Sequence, residues 1–333
     1  MNPFTTPAKD WLQSTVRAWD RFWFTPTQPH TLSLIRILGG AMLLYTHLIW
    51  TLDLNAFLGR NSWVNNRAAL MLNQDAERLT YAWSYLWYFD SAVMLWALHL
   101  TALVVFALLT MGLWTRVMSV LACIITLAYC HRLNGSLFGL DQINAMLATY
   151  LMLGPCGAVY SVDRWLARRR GDIAAVEPSV GTNVAIRLVQ VHMCIIYLFG
   201  GIGKMRGELW WDGSAVWFAL ANKEYQSLDM TWLVHQPWII ALLTHVTVLW
   251  ETLYCFLIWP KATRPVCLAI AVGVHGGIAI CLGMPTFGLV MLIGNLAFVS
   301  PELVRALISL WQHRVLSATP SALRGSVARA GSL

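Results

Sequence analysis

Lys204 is the residue best placed for proton chemistry. It stands in the run Tyr197-Leu198-Phe199-Gly200-Gly201-Ile202-Gly203-Lys204-Met205, apolar except for the lysine itself. An amine stripped of water there can release its proton and act as a base. The opposing reading keeps it charged at the membrane interface, and physics alone leaves the two about even. The three glycines permit close backbone approach or a helix break. Ionisable groups in lipid are costly and mark functional candidates, although inward-facing interhelical hydrogen bonds account for many of them. His131, Arg132 and Asn134 lie at one turn, Asp141 follows in the next helix, and His245 and His275 stand inside later apolar runs. Asp141 could simply pair with Arg132. His47, His99 and His192 read as hydrogen-bonded packing elements, and Arg36 as a snorkelling or capping residue. Glu251 and His192 fall deeper than the rest. No Cys-x-x-Cys pair occurs among the seven cysteines, so neither a disulfide framework nor a metal site is expected.

The elements that must hold these residues are membrane helices. The chain has 333 residues, 58% hydrophobic and only 12% charged, with a mean hydropathy of +0.58. That is about half the usual charge of a soluble domain. The fold expected is an all-α, polytopic transmembrane bundle. A span needs about 20 mainly apolar residues, and about eight segments qualify or come near: 32–52, 91–113, 116–132, 137–157, 184–203, 236–259, 265–282 and 284–299. Residues 1–31, with Trp11, Val16, Trp19, Phe22 and Trp23 near one helical face, read as an interfacial N-terminal helix. Residues 32–303 form the membrane domain. Residues 304–333 complete a second amphipathic helix, beginning near Pro301, and a disordered Ser/Ala/Arg/Gly tail. Between spans, 14 Lys+Arg fall on the N-terminal side and 7 on the other, which predicts both termini in the cytoplasm. The net charge of +7 suits anionic lipid and implies no nucleic-acid partner. On this topology most of the polar candidates sit in outer halves, around one outward-opening site. The stretch 207–217, with Trp210, Trp211 and Trp217, is expected to roof it.

Four stretches carry a family likeness. They are residues 33–40, the hairpin from Cys130-His131-Arg132-Leu133-Asn134-Gly135 to Tyr160-Ser161-Val162-Asp163, the stretch 190–215, and His275 with residues 287–302. In this order, over about residues 30–303, they resemble the horizontally transferred transmembrane family, the membrane domain shared with vitamin K-dependent γ-glutamyl carboxylase. The resemblance implies a lysine base at Lys204 acting on a reduced naphthoquinol, menaquinol or similar. Oxygen then adds, and collapse toward an epoxide yields a strong base that takes a glutamate γ-proton. Carbon dioxide traps the carbanion. A dry pocket is required, because water would quench that base. By the same resemblance His275, the second expected catalytic residue, matches a histidine of the carboxylase, and Asn134 an asparagine near its quinol site. His131, Arg132, Asn134, Asp141, Trp210 and His245 are the expected quinol-binding set. The carboxylase has an asparagine pair followed by histidine where this chain has Leu133-Asn134-Gly135. Its large luminal domain has no counterpart in the about 30 residues after the last expected span, so a protein or peptide substrate would come from a separate partner. Two functions are therefore expected to compete: quinol-oxidising, carboxylase-like chemistry, and a non-enzymatic assembly, export or peptide-maturation factor on the same scaffold. A bacterial inner membrane is the expected location.

Overall fold

The computed structural model describes residues 5–74, 82–89 and 91–318. Among them the chain is helical, without strands beyond one antiparallel bridge between Thr27 and Ser179. In lipid this is the economical solution, because a helix satisfies its backbone groups within one segment. The N-terminal part contains α1 (Thr5–Phe24), α2 (His30–Thr51), the short α3 (Leu54–Leu58) and α4 (Asn66–Gln74), then α5 (Ala92–Met111) and α6 (Thr115–Arg132). The middle contains α7 (Gly139–Leu153), α8 (Val162–Arg169), α9 (Val180–Lys204) and the short α10 (Glu208–Trp211) and α11 (Ala215–Leu220). α12 (Pro237–Leu257), α13 (Arg264–Cys281), α14 (Pro285–Asn295) and α15 (Pro301–Ala318) follow.

All eight expected apolar segments form helices, but they are not eight equivalent spans. Five helices, α2, α5, α9, α12 and α13, are long and apolar enough to cross a membrane. A sixth arises if α14 with its short extension and α15, bent by 117° from each other, count as one broken span. The expected number of about eight is therefore not met by length and apolarity. α7 has 15 residues and α14 has 11, and α6 ends in the polar pair His131-Arg132.

Two apolar clusters hold the bundle, and α2 contributes to both. Leu32, Ile35 and Met42 pack with α7, α9 and α12 to α14. Leu43 packs with Phe106, Leu109 and Tyr129 of α5 and α6. α1 leaves Trp11, Val16 and Trp19 exposed, whereas its end docks on α9. Asn183 Nδ2 donates to the Phe22 and Trp23 carbonyls at 2.8 Å each, and the Arg187 guanidinium lies over the Phe22 ring. The part of the expected disordered tail beyond Ala318 lies outside the described residues.

Arg36 departs from expectation. It is fully buried instead of snorkelling, and donates to the Tyr160 carbonyl at 2.5 Å. Gly112 makes the room: it ends α5 at φ +74°, and a Cβ there would lie 1.8 Å from an Arg36 nitrogen. Asp163 of α8 then caps α6, accepting from the Trp114 and Thr115 amides at 2.8 and 2.7 Å and from the Thr115 hydroxyl at 2.7 Å. Losing this cap in Asp163→Ala should lower stability by about 1–2 kcal/mol. Equilibrium unfolding in detergent checks it, and an unchanged midpoint would mean that water or a neighbour replaces the carboxylate.

Candidate functional site

The site arises from a stagger between neighbouring helices. α9 and α12 meet where a Cβ on Gly201 would lie only 2.7 Å from the Thr252 backbone nitrogen. α9 ends three residues later, at Lys204. α12 began fifteen residues earlier, at Pro237, so it runs on past the end of α9 by most of about 22 Å at 1.5 Å per residue. The space left beside α12 is an apolar cavity of about 710 Å³, within the usual size range of ligand sites. α7, α9, α12, α13 and α14 wall it. Trp210, Val216 and Leu220 of the segment after α9 cover it, as the sequence led one to expect, and Leu233 extends the cover.

This stagger brings Lys204, the last residue of α9, level with Glu251, the residue expected to lie deeper. Helical side chains lean toward their own N-terminus. In antiparallel α9 and α12 the lysine and the glutamate therefore lean toward each other. Lys204 Nζ donates to Glu251 Oε2 at 2.6 Å, and the side chains are 29% and 10% exposed. Gly200 leaves space beside the pair, since a Cβ there would be 3.4 Å from Glu251 Oε2. Trp210 completes the setting, with the ammonium 5.5 Å from its ring centroid.

His275 lines the same cavity from α13. Its Nε2 is 2.7 Å from the Tyr197 hydroxyl. Tyr197 accepts from Asn295 Nδ2 at 2.8 Å, and Asn295 Oδ1 accepts from Tyr254 at 2.7 Å. All four residues are buried. The cavity thus has two polar places, an ion pair and an imidazole backed by a hydrogen-bonded relay, in a wall that is otherwise mostly apolar.

A family model of the HTTM domain matches residues 24–303. The chain belongs to the HTTM family. No curated protein matches it, and no solved structure does. The HTTM match covers the stretch from the end of α1 to the start of α15, close to the extent over which the resemblance was read.

Of the expected site residues, Lys204, His275 and Trp210 come together at the cavity of this HTTM protein. His131, Arg132 and Asp141 do not line it. His131 Nδ1 is 2.8 Å from the Trp83 carbonyl. Arg132 is buried and donates to Asn66 Oδ1 and to the Val64 carbonyl at 2.8 and 2.7 Å. Asp141 does not bridge to Arg132; it caps α7 by accepting the Phe138 amide at 3.1 Å. Its neighbours Gly139, Gln142 and Ile143 do reach the cavity. The Asn134 side chain lies outside what the structure describes. His245 holds the roof, with Nδ1 2.7 Å from the Ala241 carbonyl and Nε2 3.3 Å from that of Trp211. His99 and His192 have the hydrogen-bonded packing roles expected, against Tyr129 and Tyr150.

Sequence reasoning missed Glu251, Tyr197, Asn295 and Tyr254. A signal existed for Glu251: an acid inside the apolar α12 calls for a cation, and Lys204 is the one the stagger supplies. The relay left no such trace, because Tyr and Asn in a membrane helix are unremarkable singly.

Proposed function

We propose that this protein binds a reduced naphthoquinone, menaquinol or a similar lipid-soluble quinol, in the cavity beside α9 and α12, with Lys204 as the proton acceptor. The observation that carries this reading is the 2.6 Å Lys204–Glu251 pair on the wall of a cavity of about 710 Å³. The pocket fits such a molecule in size and apolarity, and a buried His275 Nδ1 without a protein partner offers a polar contact for it. The quinol supplies the electrons for reaction with O2, and CO2 is the further reactant if the carboxylase pattern holds.

Glu251 makes the lysine usable. As an ammonium, Lys204 has no lone pair. Moving the Nζ proton to Glu251 Oε2 across the short hydrogen bond leaves both groups neutral and frees the Nζ pair. Nζ then accepts a ring-hydroxyl proton, and the cavity holds one negative charge against one lysine cation. Trp210, Val216 and Leu220 exclude water from that step. A positioned proton acceptor contributes about 10²–10⁴-fold to rate.

A second reading has a specific observation behind it: the pair is complete as it stands and can serve structure alone. The protein would then be an assembly, export or peptide-maturation factor, and in either case a separate protein or peptide is its partner. Placement in a bacterial inner membrane, with both termini in the cytoplasm, belongs to the same proposal.

Mass spectrometry of menaquinol incubated with the purified protein and oxygen tests the first reading. Wild type should form an oxidised product, the epoxide. Lys204→Ala should form at least about 100-fold less while retaining its helical circular dichroism. Equal product from both removes the lysine from the chemistry, and none from either leaves the scaffold reading.

A further inference from the structure

The relay behind His275 fixes where its protons are. Asn295 Nδ2 is 2.9 Å from the Met291 carbonyl, which can only accept. That side of the amide must therefore be the NH2 group. Its second hydrogen goes to the Tyr197 hydroxyl oxygen at 2.8 Å, and Oδ1 faces the Tyr254 hydroxyl, which donates. Tyr197 thus accepts from Asn295 and has a single proton to give. The recipient is His275 Nε2 at 2.7 Å. A neutral imidazole that accepts at Nε2 carries its hydrogen on Nδ1. Nδ1 is buried and has no protein partner, although His275 lines the cavity.

We propose that Met291, Asn295 and Tyr197 hold His275 as the Nδ1–H tautomer, and that this N–H donates to a ligand oxygen that accepts only: a carbonyl, or an oxygen bearing negative charge. The proposal rests on the cavity being the ring-binding site argued above, and adds which oxygen chemistry it selects. A hydroxyl placed against His275 receives the hydrogen bond and must give its own proton to another acceptor, because a buried donor without a partner is costly. An oxygen that is giving up its proton to Lys204 becomes a better acceptor as it does so, so a fixed donor favours the charged form over the neutral one. His275 is then an oxygen-binding donor and not a base, because its Nε2 lone pair is occupied. Asn295 and Tyr197 are positioning residues that act through it.

The test is ¹⁵N spectroscopy of the full chain in lipid nanodiscs with labelled histidine, His275 being identified by the signals lost in His275→Gln. Without ligand, His275 should be protonated at Nδ1 and unprotonated at Nε2. Tyr197→Phe should abolish that preference. Adding menaquinone-4 should move the Nδ1 signal. Tyr197→Phe and His275→Leu should bind menaquinone-4 about five- to tenfold more weakly by tryptophan quenching, the loss of one buried hydrogen bond. A resting His275 protonated at Nε2 overturns the tautomer assignment whether or not any variant folds. A bound quinone that leaves the Nδ1 signal unmoved overturns the ligand contact. If menaquinone-4 does not bind wild type, the ligand contact falls, while the unliganded spectrum still judges the relay and product formation from menaquinol judges the quinol reading.

Discussion

Gly201→Ala should destabilise the protein by about 3 kcal/mol, the upper end for overpacking, whereas Gly203→Ala two positions on should be neutral or stabilising by up to about 1 kcal/mol. The two glycines look alike in sequence and differ in what faces them. A Cβ on Gly201 would lie 2.4 Å from Thr252 Oγ1 and 2.9 Å from Thr252 Cα. The hydroxyl could rotate, but the backbone can yield only by parting α9 from α12. Nothing lies within 4 Å of a Cβ on Gly203, so there alanine merely improves helix propensity. The same displacement would draw Glu251 away from Lys204, so Gly201→Ala should also lose any activity that needs the pair. Unfolding in detergent, followed by tryptophan fluorescence, gives the contrast directly. Equal midpoints for the two variants would mean that the close approach of α9 and α12 contributes little.

The second large effect concerns the ion pair. Lys204→Met should cost about 2–3 kcal/mol, because it leaves Glu251 without a cation in an apolar wall. The figure is below that for a fully buried pair, since the lysine is 29% exposed. Glu251→Leu should cost about 1–2 kcal/mol, because the freed lysine can turn toward its exposed side. The double variant should return to within about 1 kcal/mol of wild type, as replacing a buried pair by apolar residues often does. The non-additivity, about 2 kcal/mol or more, is the measured quantity. Singles that simply add would show that the two groups do not depend on each other. A stable double variant that forms no quinol product would separate the pair's catalytic part from its structural one.

The fold was legible because it follows from local properties. Each of the eight apolar stretches became a helix, and the roof over the cavity was readable from Gly207 to Trp217, too polar to span and too aromatic for a free loop. Lys204 stood out for the same reason, as the one cation in a glycine-rich apolar run. The span count of about eight is not confirmed, because apolarity along the chain does not measure helix length: Met284-Pro285 starts a helix of 11 residues. Snorkelling was the wrong alternative for Arg36, because a snorkelling arginine and one buried beneath a glycine with positive φ have the same sequence.

Depth also misled. Counting residues from a loop put Lys204 at the end of its own span and Glu251 well below it, and treated the hairpin residues His131, Arg132 and Asp141 as part of one site. Such counting assumes that helices start and stop at common planes. Here α12 continues past the end of α9, which brings lysine and glutamate level and opens the cavity above them, while the hairpin residues turn to Trp83, Asn66, Val64 and their own helix cap. The amino-acid sequence by itself determined the membrane-helix class, the family and the presence of a lysine in apolar surroundings, since hydropathy and motif are carried by contiguous residues. The tertiary structure alone decided that Glu251 is its partner and that Tyr197, Asn295 and Tyr254 stand behind His275, because the stagger and rotation of packed helices are set by contacts between residues far apart in the chain, such as Gly201 against Thr252.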